Sequence, residues 1–504
     1  MARQPAAVAH LRLAKPLTTA YVLGWLSSTT PRLARILLLF ARRKLTVRAA
    51  WLHTVDTLRG ACAIHRFPAF CAVLVGGSTL LQIPIKALLI TALPRLRSSP
   101  KSFDHWIAGL LARFSAALIS ASVSFQLLNS APTKYAPSTA PGATSSFTKT
   151  SLGPFDEPPE QHAAEPKNVL PLTRPDLAGR TLDLTLFAVV RALDVAVCTT
   201  TSSLQPSSRL HQAASKLPTP LFCLSAATIM WSSWFYSPSR LPQNYNAWIS
   251  AAAGLDHRLM LALRHARYGT FQYGKHTGMA PLLGSMARDY GMPEEAGDPA
   301  KTVPVPCELV HMGCGKSCEK HALWRFWRGW AFAAKMYFPL QLFVLARHLR
   351  KTGRPGDRFA GLTQHTLTAA FQEATWRSSF LGAFVAFFYY GVCLSRTRLG
   401  PSIFSSRTVT PQMWDSGLCV LSGCLLCGLS ILVEESRRRL EMVLFVLPRA
   451  AATWLPRRYL PEHRWKEHLA FALSAAVVMT AAQEDHRRVR GVLGRVLHRV
   501  LKAD

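Results

Sequence analysis

Long uncharged apolar segments are the clearest pattern along the chain. Four of them contain no Asp, Glu, Lys or Arg, and they cover residues 67–85, 218–236, 378–395 and 416–433. An uncharged stretch of about 18 or more residues is long enough for a helix to cross the apolar core of a bilayer. The pattern therefore predicts a membrane protein with several spanning helices. Helices buried in the core of a soluble protein are the alternative.

The apolar pattern occurs twice along the chain. Three pairs of segments align without gaps and in the same order: 69–77 (AFCAVLVGG) with 383–391 (AFVAFFYYG), 180–193 (RTLDLTLFAVVRAL) with 438–451 (RRLEMVLFVLPRAA), and 222–230 (FCLSAATIM) with 471–479 (FALSAAVVM). The first alignment also places Gly109 over Gly423. A fixed order of similar segments indicates an internal duplication. We therefore predict an all-α fold, a polytopic membrane helix bundle with two internal repeats of about four helices each.

The organisation of the chain follows from these segments. Residues 130–175 are rich in Pro, Ser, Thr and Ala and poor in large apolar residues, which predicts a disordered loop inside the first repeat. The predicted regions are a basic amphipathic N-terminal region (1–66), a first membrane repeat (67–236), a connecting region with Cys, His and amphipathic helices (237–376), a second membrane repeat (377–483) and a basic amphipathic tail (484–504). The predicted helices cover 67–85, 106–127, 182–199 and 218–236 in the first repeat, and 378–396, 416–433, 440–455 and 468–483 in the second.

The net charge sharpens this picture. The 504 residues include 59 Lys and Arg but 27 Asp and Glu, which gives a formal net charge of +32. Such a balance suits either nucleic acid or an anionic membrane surface, and the apolar segments favour the membrane. We therefore expect anionic membrane lipids as partners and no nucleic acid, and leave protein partners or a homo-oligomer open. The acid-poor start of the chain before Asp56 fits either an organelle-targeting segment or a polybasic segment on the membrane surface.

A few charged residues interrupt the apolar segments. Arg113, Arg191, Asp194 and Arg449 are the candidate residues for binding a substrate or a lipid, because charges at membrane depth often line a pathway. Arg191 and Asp194 lie three residues apart and so share a helix face. Arg191 and Arg449 occupy equivalent positions in the two aligned segments. The alternative is that these helices are short and that the arginines extend to the membrane interface.

A cluster of cysteine and histidine residues falls in the connecting region. The candidate metal ligands in PVPCELVHMGCGKSCEKH (304–321) are Cys307, His311, Cys314, Cys318 and His321. Zinc binds such Cys/His sets, but the usual pairs separated by two residues are absent here. A redox site and a packed cysteine-rich loop without bound metal are the alternatives. We therefore expect either no cofactor or zinc.

Several segments resemble the transmembrane protein 135 family, in its fungal branch. The resemblance rests on PCELVHMGCGKSCEKHALWRFWRGWAFAAKMYFPLQLFVLARHL, SSFLGAFVAFFYYGVCL, LSGCLLCGLSILVEESRRRLEMVLFVLPRA and RTLDLTLFAVVRALD, within residues 180–460. It implies a multi-pass protein of mitochondrial or peroxisomal membranes that acts in lipid handling or organelle dynamics. It also implies a distant relationship to the mitochondrial inner-membrane translocase channel family. The sequence departs from the family pattern at Met312, where a proline is expected.

The apolar segments and the repeats favour a membrane protein that handles lipids or metabolites without bond chemistry of its own. The family resemblance implies, in addition, a part in mitochondrial or peroxisomal dynamics. One alternative is a membrane scaffold that recruits partners through the Cys/His loop. Another is a membrane-embedded lipid-modifying enzyme, for which His365 and Glu373 on one predicted helix are the polar candidates. Because the chain has no phosphate-binding glycine loop, nucleophile elbow or zinc-protease helix motif, we expect no enzyme activity.

Overall fold

The computed structural model describes residues 6–92, 101–130, 178–202, 208–352, 364–405, 407–457 and 459–501. These residues are helical or irregular, with no β-strand among them; Ala178 and Tyr459 form an isolated antiparallel bridge. The all-α prediction is therefore confirmed. The loop predicted over 130–175 lies almost entirely outside the described residues.

The helices are numbered in chain order. Those of the first half are α1 (Ala6–Ala41), α2 (Val47–Ala61), α3 (Phe67–Leu80), α4 (Gln82–Ala92), α5 (Lys101–Asn129), α6 (Leu182–Ser202), α7 (Arg209–Lys216), α8 (Pro218–Ala227), α9 (Gln243–Ala253) and α10 (His257–Tyr268). Those of the second half are α11 (Ala280–Asp289), α12 (Cys307–Val310), α13 (Cys318–Thr352), α14 (Gln364–Cys393), α15 (Gly400–Ile403), α16 (Pro411–Met413), α17 (Cys419–Cys427), α18 (Ser436–Trp454), α19 (Arg464–Glu484) and α20 (Gly491–Leu501).

Four helical stretches of the described residues are long and apolar enough to cross a membrane. They are Phe67–Thr91, Trp106–Asn129, Thr366–Ile403 and Pro411–Val433. Four such stretches are consistent with an integral membrane protein. The other four predicted helices also form, as α6, α8, α18 and α19. They are not among these stretches, so the prediction of about eight spanning or partly spanning helices remains a prediction.

The chain divides into two compact units, which we call the terminal unit and the central unit. The terminal unit comprises Met1–Pro137, Pro171–Ser215 and Leu455–Asp504, and the central unit comprises Ser138–Leu170 and Lys216–Trp454. This division differs from the two predicted repeats. Helix α8, predicted as the last helix of the first repeat, belongs to the central unit, and α19, predicted as the last helix of the second, belongs to the terminal unit.

The core of the terminal unit forms around α19. The ring of Phe471 lies 4.9 Å from that of Phe125 on α5 and 5.8 Å from that of Phe70 on α3, measured between centroids. At the start of α19 the buried carboxylate of Glu467 accepts hydrogen bonds from the hydroxyls of Thr181 (2.6 Å) and Thr185 (3.1 Å). Because a buried carboxylate is costly without partners, these bonds fix where α19 begins relative to α6.

The core of the central unit holds a buried ion pair. Arg396 Nε lies 2.6 Å from Asp415 Oδ1, and both side chains are almost fully buried. The hydroxyl of Tyr273 also donates to Asp415. Breaking one partner of such a pair costs about 3–5 kcal/mol, because it leaves a buried charge without compensation. The pair therefore holds the end of the stretch Thr366–Ile403 next to the start of the stretch Pro411–Val433.

Glycines allow α14 and α17 to approach closely. A Cβ atom on Gly391 would lie 2.9 Å from the Cα of Gly423, and a Cβ on Gly423 would lie 2.7 Å from the carbonyl oxygen of Phe388. Real Cβ atoms essentially never come this close to backbone atoms, so any larger residue would separate the helices. Small residues at the contact are a common way for membrane helices to pack.

We predict that Gly423→Ala lowers the free energy of unfolding by about 1–3 kcal/mol, because the added methyl group overpacks the contact. Thermal unfolding of the purified protein in detergent measures the effect. The matched control is Gly60→Ala on α2, where a Cβ would meet no atom within 4 Å. The control should be neutral or stabilising by up to about 1 kcal/mol, because glycine is unfavourable inside a helix. Equal melting temperatures for the two variants would contradict the predicted packing.

Candidate metal centre

Three elements of the central unit bring together four side chains of types that can bind a metal ion. Cys307 begins α12, and His311 follows one helical turn later, so both side chains lie on the same face. Cys318 begins α13, and Cys393 ends α14. The residues Met312 (φ 52°), Gly313 (φ 78°) and Gly315 (φ 91°) reverse the chain between His311 and Cys318.

Met312, where the sequence analysis expects a proline, has a backbone conformation that proline cannot adopt. Its φ of 52° lies in the left-handed region, whereas proline is restricted to φ near –65°. A proline at this position would therefore require a different turn.

The shorter distances within the cluster are close to those of a tetrahedral metal site. Cys307 Sγ lies 3.3 Å from His311 Nε2, 3.7 Å from Cys318 Sγ and 3.6 Å from Cys393 Sγ, and Cys393 Sγ lies 3.4 Å from His311 Nε2. All four donor atoms lie within 4.8 Å of one another. With Zn–S bonds of about 2.3 Å and Zn–N bonds of about 2.0–2.1 Å, tetrahedral geometry places donor atoms about 3.5–3.8 Å apart. The cluster could therefore hold a metal ion with little rearrangement.

The ring of His311 is oriented by the backbone. Its Nδ1 lies 2.7 Å from the carbonyl oxygen of Gly315, so this nitrogen carries the proton and donates it. Nε2 then faces Cys307 and Cys393. A carbonyl bonded to the second ring nitrogen is the usual support of a metal-binding histidine.

The thiols of the cluster compete for one negative charge. The hydrogen bond between the Cys307 and Cys393 thiols, followed by the hydrogen bond and charge of His311, lowers the pKa of Cys307 to about 4. Burial acts to lower the pKa of His311, but its hydrogen bonds to Cys307 and Gly315 raise it above the usual value. Burial and then the Cys307 charge raise the pKa of Cys318. Without a cation, Cys307 alone ionises readily; a divalent cation would stabilise several thiolates at once.

His321 lies beside the cluster rather than in it. Its Nε2 accepts a hydrogen bond from Arg325 Nε (3.0 Å), and its ring centroid is 4.5 Å from that of His311. Burial, and then the positive charges of Arg325 and His311, lowers the pKa of His321 to about 3. The ring is therefore neutral. Arg325 in turn donates to the carbonyl oxygens of Ala253 (3.2 Å) and Gly254 (3.0 Å), which ties α9 to α13.

The predicted ligand set thus needs correction. Cys307, His311 and Cys318 belong to the cluster, whereas Cys314 and His321 do not: Cys314 lies within the turn, and His321 Nε2 accepts a hydrogen bond from Arg325. Sequence reasoning missed Cys393, which looks like a small apolar residue in an uncharged helix. Its place at the last turn of α14, just before Arg396 and Arg398, is the only local signal, and it gives no indication of a partner.

The structure places the four candidate lipid-binding residues in different surroundings. Arg191 on α6 is 8% exposed, donates to the carbonyl oxygen of Arg490 (3.3 Å) and stacks on Phe187. Asp194 is also buried and pairs with Arg490. Arg113 is partly exposed on α5.

Arg449 differs from Arg191 although the two positions align. It belongs to the central unit, is partly exposed, donates to the carbonyl oxygen of Phe445 (2.6 Å) and lies over the rings of Phe445 and Tyr245. An equivalent role for the two arginines remains a prediction.

Each unit contains a large apolar cavity. The terminal cavity has a volume of about 450 Å³, lies between α1, α3, α6, α19 and α20, and has Arg191 as the one charged residue of its described lining. The central cavity has a volume of about 400 Å³, lies between α8, α9, α14 and α18, and has Glu434, Arg438 and Glu441 in its lining. Both volumes fall within the range of about 300–1,000 Å³ that is usual for small-molecule sites.

Glu373, one of the two polar candidates for an enzyme, forms an ion pair with Arg377 on the same helix.

Comparison of the chain with protein-family models, with curated proteins and with solved structures found no match.

Proposed function

We propose that the protein is a multi-pass membrane protein that binds lipid within its helix bundle and acts in lipid or metabolite handling. The observation that carries the proposal is the terminal cavity, in which a buried guanidinium, that of Arg191, is the one charged group of an otherwise apolar described lining. An apolar cavity suits an acyl chain, and a guanidinium in an apolar environment binds a carboxylate or phosphate strongly. The expected ligand is therefore a long-chain anionic amphiphile.

We predict that Arg191→Leu weakens the binding of a fluorescent long-chain fatty acid by about 10- to 100-fold, since a hydrogen bond to a charged group contributes about 1.5–3 kcal/mol. Titration of the purified protein in detergent measures this affinity.

The control is Arg180→Leu, which removes the same charge from an exposed position just before α6. It should bind like the wild type. Thermal unfolding without ligand checks that Arg191→Leu remains folded. Equal affinities for the two variants would refute the role of Arg191, and a wild-type protein that binds no fatty acid would refute the proposal.

We further propose that Cys307, His311, Cys318 and Cys393 bind a structural zinc ion. Three sulfur donors and one nitrogen at these distances suit zinc. Four protein ligands leave no open position for a substrate or a water molecule, and such closed sites are structural rather than catalytic. The ion would join the connecting region to the end of α14, and the proposal includes no enzyme activity.

We predict about one zinc ion per chain by elemental analysis of protein purified without added metal, and a strong loss of zinc in Cys393→Ala. Cys223→Ala is the matched control, because Cys223 lies in the same unit and outside the cluster. Removal of zinc with a chelator should lower the melting temperature of the wild type and the control but not that of Cys393→Ala. Wild-type protein without metal, or equal zinc contents in the two variants, would refute the assignment.

The resemblance to the transmembrane protein 135 family supports a mitochondrial or peroxisomal location and a part in organelle dynamics. Fractionation of cells that express a tagged protein should therefore recover it with mitochondria or peroxisomes, and carbonate extraction should leave it in the membrane. Protease protection of tags at both termini should place them on one side, as an even number of crossings requires. Recovery with the endoplasmic reticulum or the plasma membrane would refute the proposed location.

A further inference from the structure

The two cavities are built from equivalent positions of the aligned segments. Within 69–77 the terminal cavity is lined by Phe70, Cys71, Leu74 and Val75, and within 383–391 the central cavity is lined by Phe384, Val385, Phe388 and Tyr389. The alignment places these residues over one another in the same order. Every cavity-lining position of one segment is therefore a cavity-lining position of the other.

The lining positions also coincide in the last predicted helices of the two repeats, α8 and α19. The terminal cavity is lined by Phe471, Ala475, Val478 and Met479 of α19. The central cavity is lined by Phe222 and Ala226 of α8 and by Ile229 and Met230 of the π-helix that continues it (Thr228–Phe235). These residues again pair in order in the alignment of 222–230 with 471–479. Because α8 belongs to the central unit and α19 to the terminal unit, each cavity combines a fourth helix with two helices of the other predicted repeat, α3 and α6 in the terminal cavity and α14 and α18 in the central one.

In the third pair of segments, 180–193 and 438–451, the apolar lining positions coincide but the charged ones do not. Apolar lining residues coincide, with Leu184, Phe187 and Ala188 in one cavity and Met442, Phe445 and Val446 in the other. The charged lining residues do not coincide: Arg191 is present in the terminal cavity, and Arg438 and Glu441 in the central one. The two cavities thus share the wall that would enclose an acyl chain and differ where a headgroup would lie.

The alignment of Gly109 with Gly423 does not fit this pattern. Gly423 packs closely against α14, whereas a Cβ on Gly109 would meet no atom within 4 Å. On α5 the close contact to α3 is instead made by Ser120, which lies 2.7 Å from the position of a Cβ on Gly77. The second helices of the two repeats therefore need a different register, while the three gap-free alignments keep theirs.

We infer that the central cavity is a second lipid site, duplicated together with the first, and that it takes a zwitterionic phospholipid of the surrounding membrane. This inference rests on the proposed lipid-binding function. Its occupant would place an acyl chain between α8, α14 and α18. The headgroup would lie at Glu434, Arg438 and Glu441, with its phosphate at the guanidinium and its ammonium at the carboxylates.

The charges of the central cavity favour this class of lipid over an anionic one. Two carboxylates and one guanidinium line the cavity, and Arg438 Nη1 lies 3.3 Å from Glu434 Oε2. A purely anionic headgroup would meet both carboxylates, whereas a zwitterionic headgroup carries a partner for each sign. The aromatic side chains of Tyr245, Trp248 and Tyr337 also line the cavity, and aromatic faces attract quaternary ammonium groups.

Equal substitutions at equivalent positions test the inference. Ala226→Phe and Ala475→Phe each place the same bulky side chain at the matching point of one cavity wall. The full-length protein is delipidated in detergent and offered dioleoyl phosphatidylcholine, dioleoyl phosphatidylglycerol or a long-chain fatty acid, and bound lipid is counted by native mass spectrometry. We expect the wild type to retain one phosphatidylcholine, Ala226→Phe to lose it and keep the fatty acid, and Ala475→Phe to keep it and lose the fatty acid.

Two conservative substitutions test the contact with the headgroup, and they disturb the fold less than a bulky side chain would. Glu441→Gln should weaken phosphatidylcholine binding about tenfold, and Glu435→Gln, an exposed neighbour outside the lining, should not. The inference would be overturned if Ala226→Phe retained as much phosphatidylcholine as the wild type, or if Glu441→Gln bound phosphatidylcholine as tightly as Glu435→Gln. A preference of the wild type for phosphatidylglycerol would also overturn it. Loss of fatty-acid binding alone would refute the proposed terminal site and leave the central site standing.

Discussion

The contact between Cys307 and Cys393 is the constraint on which the central unit depends. It joins the connecting region to the last turn of α14, and α14 also contributes to the cavity and to helix packing. The same helix provides Phe388 and Tyr389 to the cavity wall and Gly391 to the close contact with α17. Three thiols within a few ångströms cannot all ionise without a cation, so the position of this helix end would depend on bound metal.

The second constraint is the satisfaction of buried polar groups among apolar helices. In the terminal unit Asp194 pairs with Arg490, and Glu467 is held by threonine hydroxyls. In the central unit Asp415 is held by Arg396 and Tyr273. Each of these groups meets a partner that is distant in the sequence, so each also fixes a tertiary contact. Polar side chains that would be costly alone therefore specify which apolar helices pack together.

Features that depend on neighbouring residues, such as helices, could be predicted from the sequence. Contacts between residues that are distant along the chain were missed. Uncharged segments identified the helices around Phe70 and Phe384, since helix length and apolar content are local properties. Three of the four cluster residues were identified because they follow one another within a short loop. Cys393 was missed because a thiol at the end of an apolar helix looks the same whether it packs or binds metal. The assignment of α8 to the central unit and of α19 to the terminal unit could not be predicted, because either packing buries the same apolar faces.

The internal alignment carries more information once the cavities are known. Similar apolar segments that pack in the same way turn the same helix faces inward, and the cavity-lining positions of the two units do coincide. The coincidence is complete in the segments that contain Phe70 and Phe471, and it fails only at the charged positions of α6 and α18. A wall shaped for an acyl chain tolerates exchanges among apolar residues of similar size, such as Leu184 and Met442. At the charged positions the aligned residues keep their sign, but Arg191 lines one cavity whereas Arg438 and Glu441 line the other, so the headgroup that can be bound differs.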